Sequence, residues 1–122
     1  MEIKTIKIEY GKNIYVVSED GFIYNWTKKK QFDKHLKWSG SFIDQKYVSI
    51  CGGSKDVKPI RMRTMDAKIM WFKKFGKILR IEDVKERQLT VYDLMQFIDR
   101  WGDVGFDEHF IKEFNKELES DE

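Results

Sequence analysis

The stretch NIYVVSEDGFIYNW, residues 13–26, decides how the first half of the chain folds. Its first limb, Ile14 to Ser18, is short and rich in β-branched residues. Its second limb continues to Thr27 and sets Phe22, Tyr24 and Trp26 on one side of an extended chain, with Ile23, Asn25 and Thr27 on the other. Alternation with a period of two is the signature of a strand. Asp20-Gly21 stands between the limbs, and Asp-Gly flanked by two apolar runs is a strong hairpin signal, because glycine accepts the positive φ that a tight turn needs. Upstream, Ile6, Ile8 and Tyr10 alternate with charged residues, and Gly11-Lys12-Asn13 is turn material. The expectation is a meander of three antiparallel strands.

Further along, Trp38-Ser39-Gly40-Ser41 reads as a turn. Lys46 to Cys51 alternates as a fourth strand, Gly52-Gly53-Ser54 turns the chain, and Lys58 to Met65 forms a fifth strand. Pro59 puts the start of that strand near an edge, since proline has no N–H for a ladder. On it Ile60, Met62 and Thr64 oppose Arg61 and Arg63. Residues 66–81 allow two readings. One is a short helix capped by Thr64 or Asp66 and closing at Gly76. The other is a pair of strands, Ile69–Phe72 and Ile78–Ile81, and the sheet-like segment before them favours it.

The C-terminal part reads as two helices. Thr90 and Asp93 have the spacing of a capping box. Val91, Leu94, Met95, Ile98 and Trp101 recur at helical spacing, and Gly102 supplies a stop. A second helix starts near Asp107, with Phe106 and Ile111 placed as a hydrophobic staple and with Phe110, Ile111, Phe114 and Leu118 on its apolar face. The fold class is therefore α+β: an N-terminal antiparallel sheet of about six strands followed by two C-terminal helices. The 122 residues suit a single domain, 1–122, with a sheet part at 1–81 and a two-helix part at 90–119.

Charge separates the same two parts. The whole chain carries +2, but residues 1–81 hold 18 Lys/Arg against 8 Asp/Glu, a net of +10, and residues 82–122 hold 5 against 13, a net of −8. The basic part could draw a polyanion or a phosphorylated small molecule. The acidic part could dock on the basic face of a second copy, or the two parts could attract each other within one fold. No apolar run reaches the roughly 18 residues that span a bilayer, the N-terminus MEIKTIKIEY is no signal peptide, and Cys51 has no internal disulfide partner. These features point to a cytoplasmic protein with no membrane partner.

Motifs for catalysis are missing. Cys51-Gly52-Gly53-Ser54-Lys55 lacks the spacing of a phosphate loop and reads as a turn. His109 and Glu113 lie four apart on a helix, but a metal needs more than two ligands. Cys51 would need a base to act as nucleophile, and although His35 is possible in space, no sequence pattern supports the pairing. The expectation is a protein that is not an enzyme and uses no cofactor or metal. A helix-turn-helix reading of the last two helices fails because the second carries Asp107, Glu108, Glu113, Glu117 and Glu119, which phosphates repel, so duplex DNA is not expected as a partner.

Binding remains. The stretch KKKQFDKHLKW, residues 28–38, interleaves lysines with rings. Lysines and arginines hold phosphates, arginine in bidentate fashion, and rings stack bases. The candidate ligand-binding residues are Arg61, Arg63, Trp38, Phe32, Lys30, Lys34, Tyr24 and Trp26. The reading is a binder of a small phosphorylated nucleotide, with its pocket completed at a homo-oligomer interface. The alternatives are a single-stranded nucleic-acid-binding module and a small phage-type inhibitor that acts by protein–protein contact.

Two resemblances bear on this. Tyr15–Phe22, YVVSEDGF, is similar to a strand pair found beside homing endonuclease domains, although no HNH nuclease follows it here. In size and element order over its full length, the chain resembles the phage Thoeris anti-defence proteins of the first described type. That resemblance implies a non-catalytic sponge in the host cytoplasm, which sequesters cyclic ADP-ribose isomers, or cyclic oligonucleotides, at a dimer interface. It rests on architecture and supplies no individual site residue.

Overall fold

The structure is a computed structural model, and it describes residues 4–19, 21–25, 37–41, 47–79, 87–102 and 108–119. Strands β1 (Thr5–Tyr10), β2 (Asn13–Ser18), β3 (Phe22–Asn25) and β4 (Lys37–Ser41) form one antiparallel sheet in that order. Strands β5 (Tyr47–Ile50) and β6 (Ile60–Arg63) form a second, two-stranded antiparallel sheet. Helices α1 (Thr64–Phe75), α2 (Val91–Trp101) and α3 (Glu108–Glu119) follow. The architecture is α+β with the helices C-terminal, as the residue pattern implies.

The meander forms as its turn chemistry dictates. β1 pairs β2 from Thr5↔Ser18 to Tyr10↔Asn13, and β2 pairs β3 from Tyr15↔Asn25 to Val17↔Ile23. Gly21 takes φ 86°, and its N–H donates to the Ser18 carbonyl at 3.0 Å. Alternation becomes burial: Ile6, Ile8, Val17 and Ile23 enter the core, while Lys7 and Glu9 stay in solvent and pair at 3.1 Å.

Three expectations are corrected. The single sheet of about six strands is two sheets, of four and two. Residues 38–41, read as a turn, lie in β4, which continues the meander and shifts register at a bulge between Ile23 and Tyr24. The strand reading of Ile69–Phe72 gives way to α1, so three helices among the described residues replace two; of the second strand, Ile78–Ile81, Ile78 and Leu79 lie in no strand, and residues 80 and 81 lie outside the described residues. The cause is local. Asp66 falls at the third helical position and accepts the N–H of Arg63 at 3.1 Å, which satisfies a donor the first turn leaves open. At the other end Gly76 adopts the left-handed conformation, φ 73°, and its N–H donates to the Phe72 carbonyl at 2.8 Å. Lys73 and Lys74 lie in the last turn, where positive charge suits the helix dipole.

The segment between β5 and β6 is tied to the first sheet. The Tyr15 hydroxyl accepts from the Cys51 N–H and lies 3.1 Å from the Cys51 carbonyl, to which the Asn13 side-chain amide also donates, at 3.0 Å. The Tyr10 hydroxyl donates to the Lys58 carbonyl. Gly11 packs so closely on Gly52 that an added Cβ would sit 2.5 Å from the Gly52 carbonyl oxygen. Both its positive φ and this approach require glycine.

Two apolar clusters result. One gathers Ile6, Ile8, Tyr15, Val17, Ile23, Val48, Ile50, Met62, Ala67, Trp71 and Leu79 between sheets and α1. The other gathers Ile69, Ile78, Leu89, Leu94, Phe97 and Phe114 between the helices. Met70 and Trp101 pack against both. Phe110, Ile111 and Leu118 flank the second cluster, so α3 buries the face expected of it. Asn115 clamps α3 to the segment before α2: its amide donates to the Leu89 carbonyl at 3.2 Å, and its oxygen accepts the Leu89 N–H at 2.8 Å. The Asp107 cap and the Phe106 staple lie outside the described residues.

α2 departs from its expected face. Leu94 and Phe97 are buried and Trp101 is half-buried, but Val91, Met95 and Ile98 are exposed. The helix has two apolar faces, and only one of them meets the core.

Candidate binding surface

The outer face of β5–β6 carries Tyr47, Ser49 and Arg61 in solvent, because Val48, Ile50 and Met62 take the inner face. Ser49 lies directly opposite Arg61, and the Arg61 guanidinium sits 4.6 Å from the Tyr47 ring centroid. Such stacking holds a guanidinium in place while leaving its N–H edge open. Among the described residues no carboxylate forms an ion pair with Arg61.

Arg63 begins on the same face but turns to the helices. Its guanidinium binds Asp66 in bidentate fashion, with Nη2–H donating to Oδ1 at 2.7 Å and Nε–H to Oδ2 at 3.3 Å. It also lies 3.7 Å from the Asp93 carboxylate. Asp66 and Asp93 are fully buried, so each needs these donors. Arg87 closes a second fork on Asp93, with both N–H···O contacts at 2.6 Å. The Thr90 N–H and hydroxyl donate to the same carboxylate at 3.0 and 2.9 Å. Arg100 stands 4.0 Å from Asp66.

Burial works against the charge on Asp93, but the hydrogen bonds from Arg87 and Thr90 outweigh it and hold the carboxyl below its ordinary pKa. The bond to Asp93 likewise raises the pKa of Arg87 against the opposing effect of burial. This cluster binds β6, α1 and α2 together. It is a structural device made of groups already matched, so loss of Arg63 would disturb the packing of α1 on α2 as well as any ligand contact. Here the basic and acidic parts meet within one chain. Part of the charge split thus serves the fold.

The remaining candidates are placed as follows. Tyr24 is half-buried on β3. Trp38 lies in β4, its backbone in register with Tyr24. Lys30, Phe32, Lys34 and Trp26 lie outside the described residues, as does His35. Trp71 is buried in the first cluster, its ring tilted by 49° against that of Phe75 with 4.7 Å between centroids. Lys74 is used locally: its ammonium donates to the Thr5 carbonyl at 3.1 Å and lies 5.4 Å from the Phe75 ring centroid.

Sequence reasoning missed Tyr47 as the ring under Arg61, although the alternation of both strands puts the two on one face. It also missed the Asp66–Asp93 cluster, whose signal was present in the i,i+3 pairs Arg63/Asp66 and Thr90/Asp93. Among the described residues, no three of His, Cys, Asp and Glu gather as metal ligands, and no helix is long and apolar enough to cross a membrane. The chain matches no known family model, no curated protein and no solved structure.

Proposed function

We propose that the protein is a non-catalytic binder of a small phosphorylated nucleotide, with Arg61 at the centre of its site. One observation carries the reading: an exposed arginine held on an exposed tyrosine, with a serine hydroxyl opposite and no acidic partner among the described residues. Arg61 would meet phosphate oxygens through its free N–H edge. Tyr47 and Ser49 would add a ring face and a hydroxyl. Lys30, Lys34, Phe32, Trp38, Tyr24 and Trp26, the further candidates from the sequence, are proposed as additional ligand contacts. Cyclic ADP-ribose isomers and cyclic oligonucleotides are the ligand class proposed, and sequestration without turnover in a host cytoplasm is the proposed role.

Calorimetric titration with mononucleotides, cyclic dinucleotides and a cyclic ADP-ribose isomer tests it. The wild type should bind one of these classes, and Arg61→Ala should weaken binding about tenfold or more with an unchanged melting temperature. Recovery of the ligand without hydrolysis should accompany binding. Full affinity in Arg61→Ala would remove the site from this face. Binding of single-stranded oligonucleotides alone, falling steeply with salt, would favour the open-groove alternative.

A further inference from the structure

We infer that the outer face of α2 is a two-fold interface between two copies of this chain. Val91, Tyr92, Met95 and Ile98 are 58, 66, 62 and 37% exposed, on a helix whose opposite side is already packed against the core. At about 100° per residue, Met95 lies at the middle of this face. Val91 and Ile98 fall to one side of it, and Tyr92 and the exposed Asp99 fall to the other. The face is about 10 Å long from Val91 to Ile98, at 1.5 Å per residue.

That layout is complementary to itself when a second α2 runs antiparallel across it. A two-fold axis at Met95 brings each Met95 onto its counterpart. It places Val91 against Ile98 of the partner subunit along one edge. Along the other edge it sets the Tyr92 hydroxyl, a donor, against Asp99 of the partner subunit, an acceptor. An isologous interface demands this reciprocity, in which residue i meets j and j meets i.

Charge points to the same occupant. Asp99 lies in the last turn of its own helix, where the dipole disfavours an anion. In the antiparallel pair it approaches the N-terminal end of the partner's helix, where the dipole favours one, on the side of Tyr92. An unrelated protein would give no reason for the face to be balanced about its own centre. Exposed apolar patches on single chains reach roughly 300–600 Å² at their largest, and those often mark contact sites. A standard interface takes about 800 Å² and roughly 20–30 residues from each partner, and a single helix face about 10 Å long supplies less, so the dimer proposed is a reversible one.

The inference does not depend on nucleotide binding, and its test contains no nucleotide. Sedimentation equilibrium should show the wild type associating to a dimer at micromolar concentration. Tyr92→Glu sets a glutamate against Asp99 of the partner subunit and should weaken association on the order of tenfold or more. Combining it with Asp99→Lys sets the introduced glutamate against the introduced lysine of the other copy and should restore the dimer. Within one chain the two positions are two turns apart, too far to compensate each other. All substitutions are at exposed positions, and circular dichroism confirms that each variant is folded. A wild type that stays monomeric to high micromolar concentration overturns the inference. So does a dimer indifferent to Tyr92→Glu, or a double variant that fails to regain association.

Discussion

Asp93 shows how one buried carboxylate can organise three elements. It receives Arg87 and Thr90 directly and faces Arg63 across 3.7 Å, while its own N–H donates to the Thr90 hydroxyl at 3.4 Å. Asp93→Asn keeps the shape but removes the charge that these donors answer. The expected loss is about 2–4 kcal/mol, below the top of the range for breaking a buried pair because Arg87 stays half in solvent. The pH dependence follows from the lowered carboxyl. A group whose folded-state pKa is depressed stabilises fully above its unfolded value, about 3.9 for aspartate. It loses that contribution as pH falls through the folded value. Urea unfolding of wild type and Asp93→Asn should therefore differ most at neutral pH and converge as acid protonates Asp93. A constant gap down to pH 2 would mean that the charge is not what the variant removes.

At the scale of elements, α2 separates two kinds of apolar residue that look alike in sequence. Phe97 is 3% exposed and Met95 is 62% exposed, though they are two residues apart on one helix. Phe97→Ala should cost about 3–5 kcal/mol, as buried large-to-small changes do. Met95→Ala, measured in dilute protein, should stay within about 0.5 kcal/mol. Denaturant melts of the two variants check this, and a large loss for Met95 would mean that its side is packed. The same helix shows what the sequence could convey. Its start and stop were legible because caps are local: Thr90 with Asp93, then Gly102. Its inner face was not, because Val91, Met95 and Ile98 make a helical stripe as regular as Leu94, Phe97 and Trp101, and only tertiary packing chooses between them. The strand reading of Ile69–Phe72 failed for a related reason. Ile69–Phe72 has strand composition, but Asp66 and Gly76 fix a helix through bonds that a search for alternation does not weigh. Of the candidate binding residues, the Arg61 face followed from period-two alternation. The diversion of Arg63 into Asp66 and Asp93 depended on a helix that the strand reading had excluded.

For the whole molecule, the question is whether the sheets and the helices unfold together. Their two clusters share Met70 and Trp101, and the Arg63–Asp66–Asp93–Arg87 chain of charges crosses from β6 and α1 to α2. Trp101 spans the seam even though its buried indole N–H has no hydrogen-bond partner among the described residues. An unmatched buried donor costs about 1–3 kcal/mol, so the apolar contact of the ring must exceed that cost. Trp101 is thus the side chain whose loss should weaken the coupling most. In the wild type, hydrogen exchange followed by mass spectrometry should give β1–β2 and α3 the same opening free energy, as one cooperative unit does. In Trp101→Ala the α3 segment should open more easily than β1–β2, because Leu94, Phe97 and Phe114 lose their bridge to the sheets while Ile6, Val17 and Ile23 keep theirs. Trp101→Phe, which removes the unmatched N–H and keeps a ring, should preserve a single opening energy. If β1–β2 and α3 remain equally protected in Trp101→Ala, the cohesion of the molecule resides in Met70 and the arginine–aspartate cluster instead.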